Sequence, residues 1–185
     1  GQVGNDMVGW GYFKPFTVDS NILMALAALF MMIFQTREYY DDKLQPSRWL
    51  KRFYLMGTVS LGLTLFTVVF FLAPSFIATG QDVSLLFSGD MLFFHLLNPI
   101  LAIVSTIFLI KGKRFRLRDR FWAILPCFVY SIVYLVQVVF VGAWEDFYGF
   151  TFGRQDYLIP FTMMGMYLVT AVIAGVITWL HNKRI

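Results

Sequence analysis

Apolar runs of about twenty residues, the length that spans a bilayer core as a helix, alternate with short polar connections along the chain. The pattern predicts helices over 19–36, 53–73, 91–110, 121–142 and 158–180. The polar positions inside these runs recur at helical spacing. The third run carries His95, Asn98, Ser105 and Thr106, with Pro99 loosening the backbone. The fourth carries Tyr130, Tyr134 and Gln137 at i, i+4 and i+7, which is one stripe of a helix. The fifth carries Thr162, Tyr167 and Thr170, and pairs Ala171 with Gly175 at the spacing of closely packed helices. Polar groups are costly in lipid, so these positions are expected to face the bundle interior. Ser105, Thr106 and Gln137 are expected to hydrogen-bond between helices.

Composition turns this pattern into a class. The chain is 58% hydrophobic over 185 residues and contains 21 Phe; its mean hydropathy is +0.67. A soluble domain of this size has too little interior to bury so much apolar surface. The expected fold is an all-α polytopic membrane helix bundle, a single integral membrane domain over 1–185 with five transmembrane helices.

Charge then sets the expected orientation. Thirteen of the fifteen Lys and Arg residues fall in three places: Arg37 to Arg52, Lys111 to Arg120, and Lys183 with Arg184. The positive-inside rule places these basic connections and the C-terminus in the cytoplasm and residue 1 outside. The outer pieces are the N-terminal segment through the start of the first helix, 73–90 and 142–157. Their basic residues are Lys14 and Arg154, and they hold Asp6, Asp19, Asp82, Asp90, Glu145, Asp146 and Asp156. They are also rich in rings, among them Trp10, Tyr12, Phe13, Trp144, Phe147, Tyr148, Phe150, Phe152 and Tyr157. Such rings suit the interfacial belt, or a lid over a lipid-binding site. An odd number of spans with an outward N-terminus leaves two expectations. Either 1–18 crosses unaided, or a sixth helix precedes Gly1. Short loops without glycan-like or targeting features favour a bacterial plasma membrane.

The charge also removes some functions. The net charge of +4 is spent on the connections and is no sign of nucleic acid, although Lys111 to Arg120 would sit against anionic headgroups. The single cysteine, Cys127, excludes an intrachain disulfide and a Cys-based metal cluster, and reads as a small buried hydrophobe. Of two histidines, His181 lies in the basic tail and only His95 lies within an apolar run. Neither a bis-His haem nor another metal or cofactor is expected. The expected partners are membrane lipids, with assembly into a homo- or hetero-oligomer left open.

Two polar groups remain that carry chemistry. Phe16-Thr17-Val18-Asp19-Ser20-Asn21 opens the first run and reads as an N-terminal cap, except that it holds more capping residues than one cap needs. His95 lies about one turn inside the same face of the third run; it is either a hydrogen-bonded structural residue or an acid–base group. A hydroxyl with an adjacent base is the minimal nucleophile pair, and Thr17 with His95 satisfies it if the two meet.

The stretch Phe16-Thr17-Val18-Asp19-Ser20-Asn21-Ile22-Leu23 resembles a Phe-Thr-x-x-Ser-Asn-x-Leu pattern of prokaryotic six-helix membrane proteins. His95-Leu96-Leu97-Asn98-Pro99 is similar to their His-x-x-x-Pro segment. Those proteins look like distant relatives of the androgen-induced membrane hydrolases, threonine hydrolases of fatty acid esters of hydroxy fatty acids. The resemblance runs from about Tyr12 to the C-terminus. It implies that Thr17 is the nucleophile and His95 the base. This chain departs from the pattern in having five helices instead of six, and Ser105 where many prokaryotic relatives carry an acid.

The expected function is therefore an integral membrane lipid or acyl-ester hydrolase working near the outer leaflet. Ser20, Asn21, Asn98, Tyr130 and Tyr134 are expected to support or bind substrate. Asn98, Tyr134 or Ser20 would orient the imidazole or stabilise an oxyanion. The alternative is a non-enzymatic small membrane subunit or lipid-binding protein whose polar stripes only hold helices together.

Overall fold

The computed structural model describes residues 14–41, 44–146, 148–150 and 156–185. Among these residues the chain is helical, without a strand. Helix α1 spans Phe16–Tyr40, α2 Arg48–Ala78, α3 Asp90–Phe108, α4 Leu117–Val141 and α5 Ile159–Arg184, and each is long and apolar enough to cross a membrane. All five expected spans are present, and the fold is compatible with an integral membrane protein. Large apolar side chains such as Phe30, Phe70, Leu101, Phe121, Phe140, Phe161 and Leu168 are exposed around the bundle. A bundle hydrophobic on its outside has its stable environment in lipid.

Helix α2 is the axis of the bundle and packs on each of the other four. The reason is in its middle. Gly57 to Thr64 is an unbroken buried run that includes Gly57, Thr58, Ser60, Gly62 and Thr64. Small residues let helix backbones approach closely. At Gly57 a β-carbon would lie 2.9 Å from the Met24 Cα of α1. The small-residue contact is thus on α2, whereas a β-carbon at Gly175 would meet nothing within 4 Å. The expectation of close packing at Ala171 and Gly175 is corrected accordingly. The spacing alone does not say which small pair meets a neighbour.

Hydroxyls tie α2 to its neighbours. Tyr54 Oη lies 2.8 Å from Ser105 Oγ, Thr58 Oγ1 lies 2.7 Å from Thr106 Oγ1, and Ser20 Oγ lies 3.0 Å from Thr64 Oγ1. Ser105 and Thr106 therefore bond between helices as expected. Gln137 does not: the contact it makes is through its carbonyl, which accepts from Ala143 N and Trp144 N where α4 ends at left-handed Gly142. Cys127 is buried, as its reading as a small hydrophobe implies.

The helix ends differ from the hydropathy pattern for identifiable reasons. Arg48, Lys51 and Arg52, read as part of a connection, form the first turn of α2, capped by Ser47, whose hydroxyl accepts from Leu50 N at 3.2 Å. Hydropathy treats charge as the end of a span, but α2 continues to where charge meets water. At its other end α2 passes through 73–78, expected as loop, and carries Pro74 without breaking. A π-helical turn, Val68–Leu72, comes just before it, and a second, Phe93–Leu97, comes just before Pro99. The altered bonding lets the α-helix restart with proline in its first turn, where no N–H donor is needed.

His181 is the largest departure. Instead of sitting in a solvated tail it is fully buried, with Nδ1 2.9 Å from the Thr106 carbonyl and its ring 4.7 Å from the Phe115 ring. The bundle consequently has two unlike ends. The basic end gathers the start of α2, 111–120 and the α5 terminus; the aromatic end gathers the starts of α1, α3 and α5.

Candidate functional site at the aromatic end

The start of α1 is built differently from a capped helix. Its N-cap is Pro15, with no side-chain capping bond. The Phe16 amide instead donates to the Tyr148 hydroxyl at 3.0 Å, and the Tyr130 hydroxyl donates to the Lys14 carbonyl at 2.6 Å. Tyr148, from outside the helix, thus does the work of a cap, and Tyr130 holds the residue before Pro15 in place. The residues Thr17, Asp19, Ser20 and Asn21 are released from capping and lie within the first two turns.

Ser20 and Asn21 use that freedom to bind neighbours. Ser20 Oγ reaches the Thr17 carbonyl at 3.0 Å as well as Thr64. Asn21 Nδ2 donates to the Thr17 carbonyl at 2.8 Å and to the Phe94 carbonyl at 3.4 Å, while its Oδ1 accepts from Asn98 Nδ2 at 2.8 Å. Asn21 therefore bridges the backbone of Thr17 to the residue preceding His95, and brings the two segments to one depth.

His95 is buried at 6% exposure in the π-helical turn Phe93–Leu97. Its Nδ1 lies 2.8 Å from the Leu86 carbonyl. A carbonyl only accepts, so the neutral ring carries its hydrogen on Nδ1 and its lone pair on Nε2. The orienting partner is a backbone carbonyl of the 3₁₀ turn Val83–Phe87, not Asn98, Tyr134 or Ser20. Asp82 caps that turn, accepting from Ser84 N at 2.9 Å and Ser84 Oγ at 2.8 Å. These bonds hold the Asp82 carboxyl below the usual carboxylate range.

Thr17 lines a cavity of about 30 Å³ with Thr64, Thr67, Val68, Tyr130, Tyr148 and Phe150 among its walls. That volume holds a water and excludes an acyl chain. No hydrogen bond joins Thr17 to His95 among the described residues, and His95 is not part of this cavity's wall.

The cavity is roofed by the connection between α4 and α5. Tyr148 and Phe150 stack at 5.1 Å, and each lies 5.5 Å from Tyr134. Asp146 holds this roof: its Oδ1 accepts from the Tyr134 hydroxyl at 2.7 Å and from Phe150 N at 2.9 Å. Enclosure by these rings pushes the Tyr148 phenol up to about 12, so it is neutral at physiological pH. Phe147, Phe152 and Arg154, like Asp6, Trp10, Tyr12 and Phe13, lie outside the described residues.

A larger groove of about 540 Å³ runs between α1 and α4, lined by Asp19, Ser20, Leu23, Val133 and Trp144 among others. Phe16 and Tyr130 line both this groove and the Thr17 cavity, with their rings 5.0 Å apart. That ring pair is the partition between them.

Of the residues expected to support chemistry, Ser20, Asn21 and Asn98 form one polar network, while Tyr130 is in the partition and Tyr134 packs against the roof. Leu86 and Thr64 carry no role in the sequence reading. Asp146 and Tyr148 do, as one of the acids that could hold the α4–α5 connection over the site and one of the rings that could line an acyl-chain entrance; the density of acids and rings in that connection is their signal. Comparison of the chain with family models, curated proteins and solved structures gave no match. Among the described residues no group of three or more His, Cys, Asp or Glu is arranged to hold a metal ion.

Proposed function

We propose that the protein is an integral membrane lipid or acyl-ester hydrolase, with Thr17 as nucleophile and His95 as base, its basic end in the cytoplasm. The observation that carries the reading is the His95 tautomer. A buried imidazole pinned through Nδ1–H presents its lone pair on Nε2, the form a general base requires. Asn21 ties the backbone beside it to that of Thr17. The resemblance of 16–23 and 95–99 to prokaryotic membrane proteins that look like distant relatives of the androgen-induced hydrolases points the same way.

In the reaction, Thr17 Oγ1 bonds to the ester carbonyl carbon while its proton passes to His95. The ester C–O bond breaks and the alcohol leaves with that proton. Water then attacks the acyl-threonine and gives a proton to His95; the acyl–Oγ1 bond breaks, Thr17 Oγ1 takes that proton back from His95, and the fatty acid is released. The resting pair is not hydrogen-bonded, so substrate entry must bring it together. The α1–α4 groove supplies a lateral route for an acyl chain, with Phe16 and Tyr130 as its gate.

A second reading, a non-enzymatic lipid-binding subunit, is favoured by the small Thr17 cavity and the missing Thr17–His95 bond. A serine/threonine-hydrolase activity probe separates the two. The hydrolase reading expects labelling of the purified protein that is abolished in Thr17→Ala and cut about a hundredfold or more in His95→Gln. Labelling that persists in Thr17→Ala, or is absent from the native protein while lipid stays bound, overturns it.

A further inference from the structure

At the opposite end of the bundle a concavity of about 280 Å³ lies between the start of α2 and the 111–120 segment. Its walls include Arg48, Lys51, Lys113 and Arg114, over Phe115. Asp119 is the one acid in that wall, and its charge is already committed. Its Oδ1 pairs with Arg52 Nε at 2.7 Å and its Oδ2 accepts from Arg116 N at 2.7 Å. Among the described residues, four cations therefore face one hollow that holds a single carboxylate, Asp119.

Lys51 makes the arrangement unlike a solvated basic loop. It is 5% exposed, although lysine is almost never buried unless paired. Its ammonium donates to the Lys113 carbonyl at 2.5 Å and lies 4.7 Å from the Phe115 ring centroid, which leaves two of its three N–H groups for another acceptor. The wall behind it is fixed. Asn182 of α5 accepts from Phe115 N at 2.8 Å and donates to the Phe115 carbonyl at 2.9 Å. Arg48 and Asp119, in the first turns of α2 and α4, both line the hollow, so the positive dipole ends of two helices lie beside it.

We infer that this hollow is a binding site for a phosphate group, and that its occupant is the headgroup phosphate of an anionic phospholipid. Lysine and arginine together supply a point charge and a planar donor fork, which suit phosphate oxygens. The site sits where the apolar belt ends, which is the depth of headgroups, and basic pockets between membrane helices bind anionic headgroups. The inference stands apart from the hydrolase reading, because it uses none of the residues at the aromatic end.

The test uses the full chain in detergent and in nanodiscs. Native mass spectrometry and thermal stability are compared for phosphatidylcholine alone and with added phosphatidylglycerol, and for inorganic phosphate against chloride at equal ionic strength. The native protein is expected to retain phosphatidylglycerol in preference to phosphatidylcholine. The double variant Arg48→Gln/Arg114→Gln is expected to lose that preference by about tenfold or more. Lys51→Gln is expected to do the same if it folds; the double variant, whose positions are not fully buried, stands in for it otherwise. Lys111→Gln/Arg118→Gln removes the same charge outside the hollow and is expected to bind as the native protein does. Equal loss in both double variants, or no preference for phosphatidylglycerol or phosphate in the native protein, overturns the site. Stabilisation by inorganic phosphate without lipid retention keeps the phosphate site and assigns it a soluble occupant.

Discussion

Asn98 Nδ2 donates to Asn21 Oδ1 at 2.8 Å, across the interface of α1 and α3. The bond matters because Asn21 is also the residue that joins the Thr17 and Phe94 carbonyls. Interhelical hydrogen bonds of this kind contribute about 0.6 kcal/mol on average and up to about 1.7 kcal/mol in membranes. A double-mutant cycle of Asn21→Ala and Asn98→Ala, followed by unfolding in detergent, is expected to give a coupling energy of about that size. Additive effects would show that the two side chains act independently.

Gly57 and Gly175 should respond to alanine in opposite directions. At Gly57 the added carbon meets the α1 backbone at 2.9 Å, so the helices must separate. Gly57→Ala is expected to destabilise by about 1–3 kcal/mol, as overpacking does. At Gly175 there is open space, and alanine recovers helix propensity worth about 0.5–1 kcal/mol. Thermal denaturation of both variants in one detergent measures the contrast.

The roof over Thr17 should select for acyl chain length if the protein is a hydrolase. Phe150 stacks on Tyr148 and lines the Thr17 cavity. Phe150→Ala is expected to lower hydrolysis of long-chain esters about tenfold more than that of short soluble esters, through lost apolar contact. An equal loss at every chain length would indicate simple destabilisation.

The His95 support should weaken in acid through Asp82. The folded carboxyl is held below its ordinary value by Ser84. Its contribution is therefore complete above the unfolded value of about 3.9 and is lost as the pH falls through the lower folded value. Hydrogen exchange at 84–87, compared between native protein and Asp82→Ala, is expected to show faster exchange in the variant at pH 6. The difference should shrink as the pH falls below about 4.

The five spans were legible in the sequence because burial in lipid is a local property. About twenty consecutive apolar residues satisfy their own backbone and need no distant partner to be stable in a bilayer. The same locality explains the errors at the ends. Arg48 to Arg52 looked like a connection because hydropathy cannot distinguish a charged first turn from a loop, and Thr17 to Asn21 looked like a cap because capping residues are recognised by type. The candidate site was legible only as residue types. Thr17 and His95 could be placed at one end of the bundle, since helix direction follows from counting spans.

What tertiary structure alone decided is which groups pair across long separations. Tyr148, 132 positions beyond Phe16, caps α1. The Leu86 carbonyl fixes the His95 tautomer, and a backbone atom carries no residue-type signature. His181 is buried with its Nδ1–H donated to the Thr106 carbonyl, 75 positions earlier. Gly57, not Gly175, is the close contact because Met24 happens to cross there. Hydrophobic length is written one residue at a time, but an interior polar group is satisfied by whatever the packing brings to it, and that partner is set by the whole bundle at once.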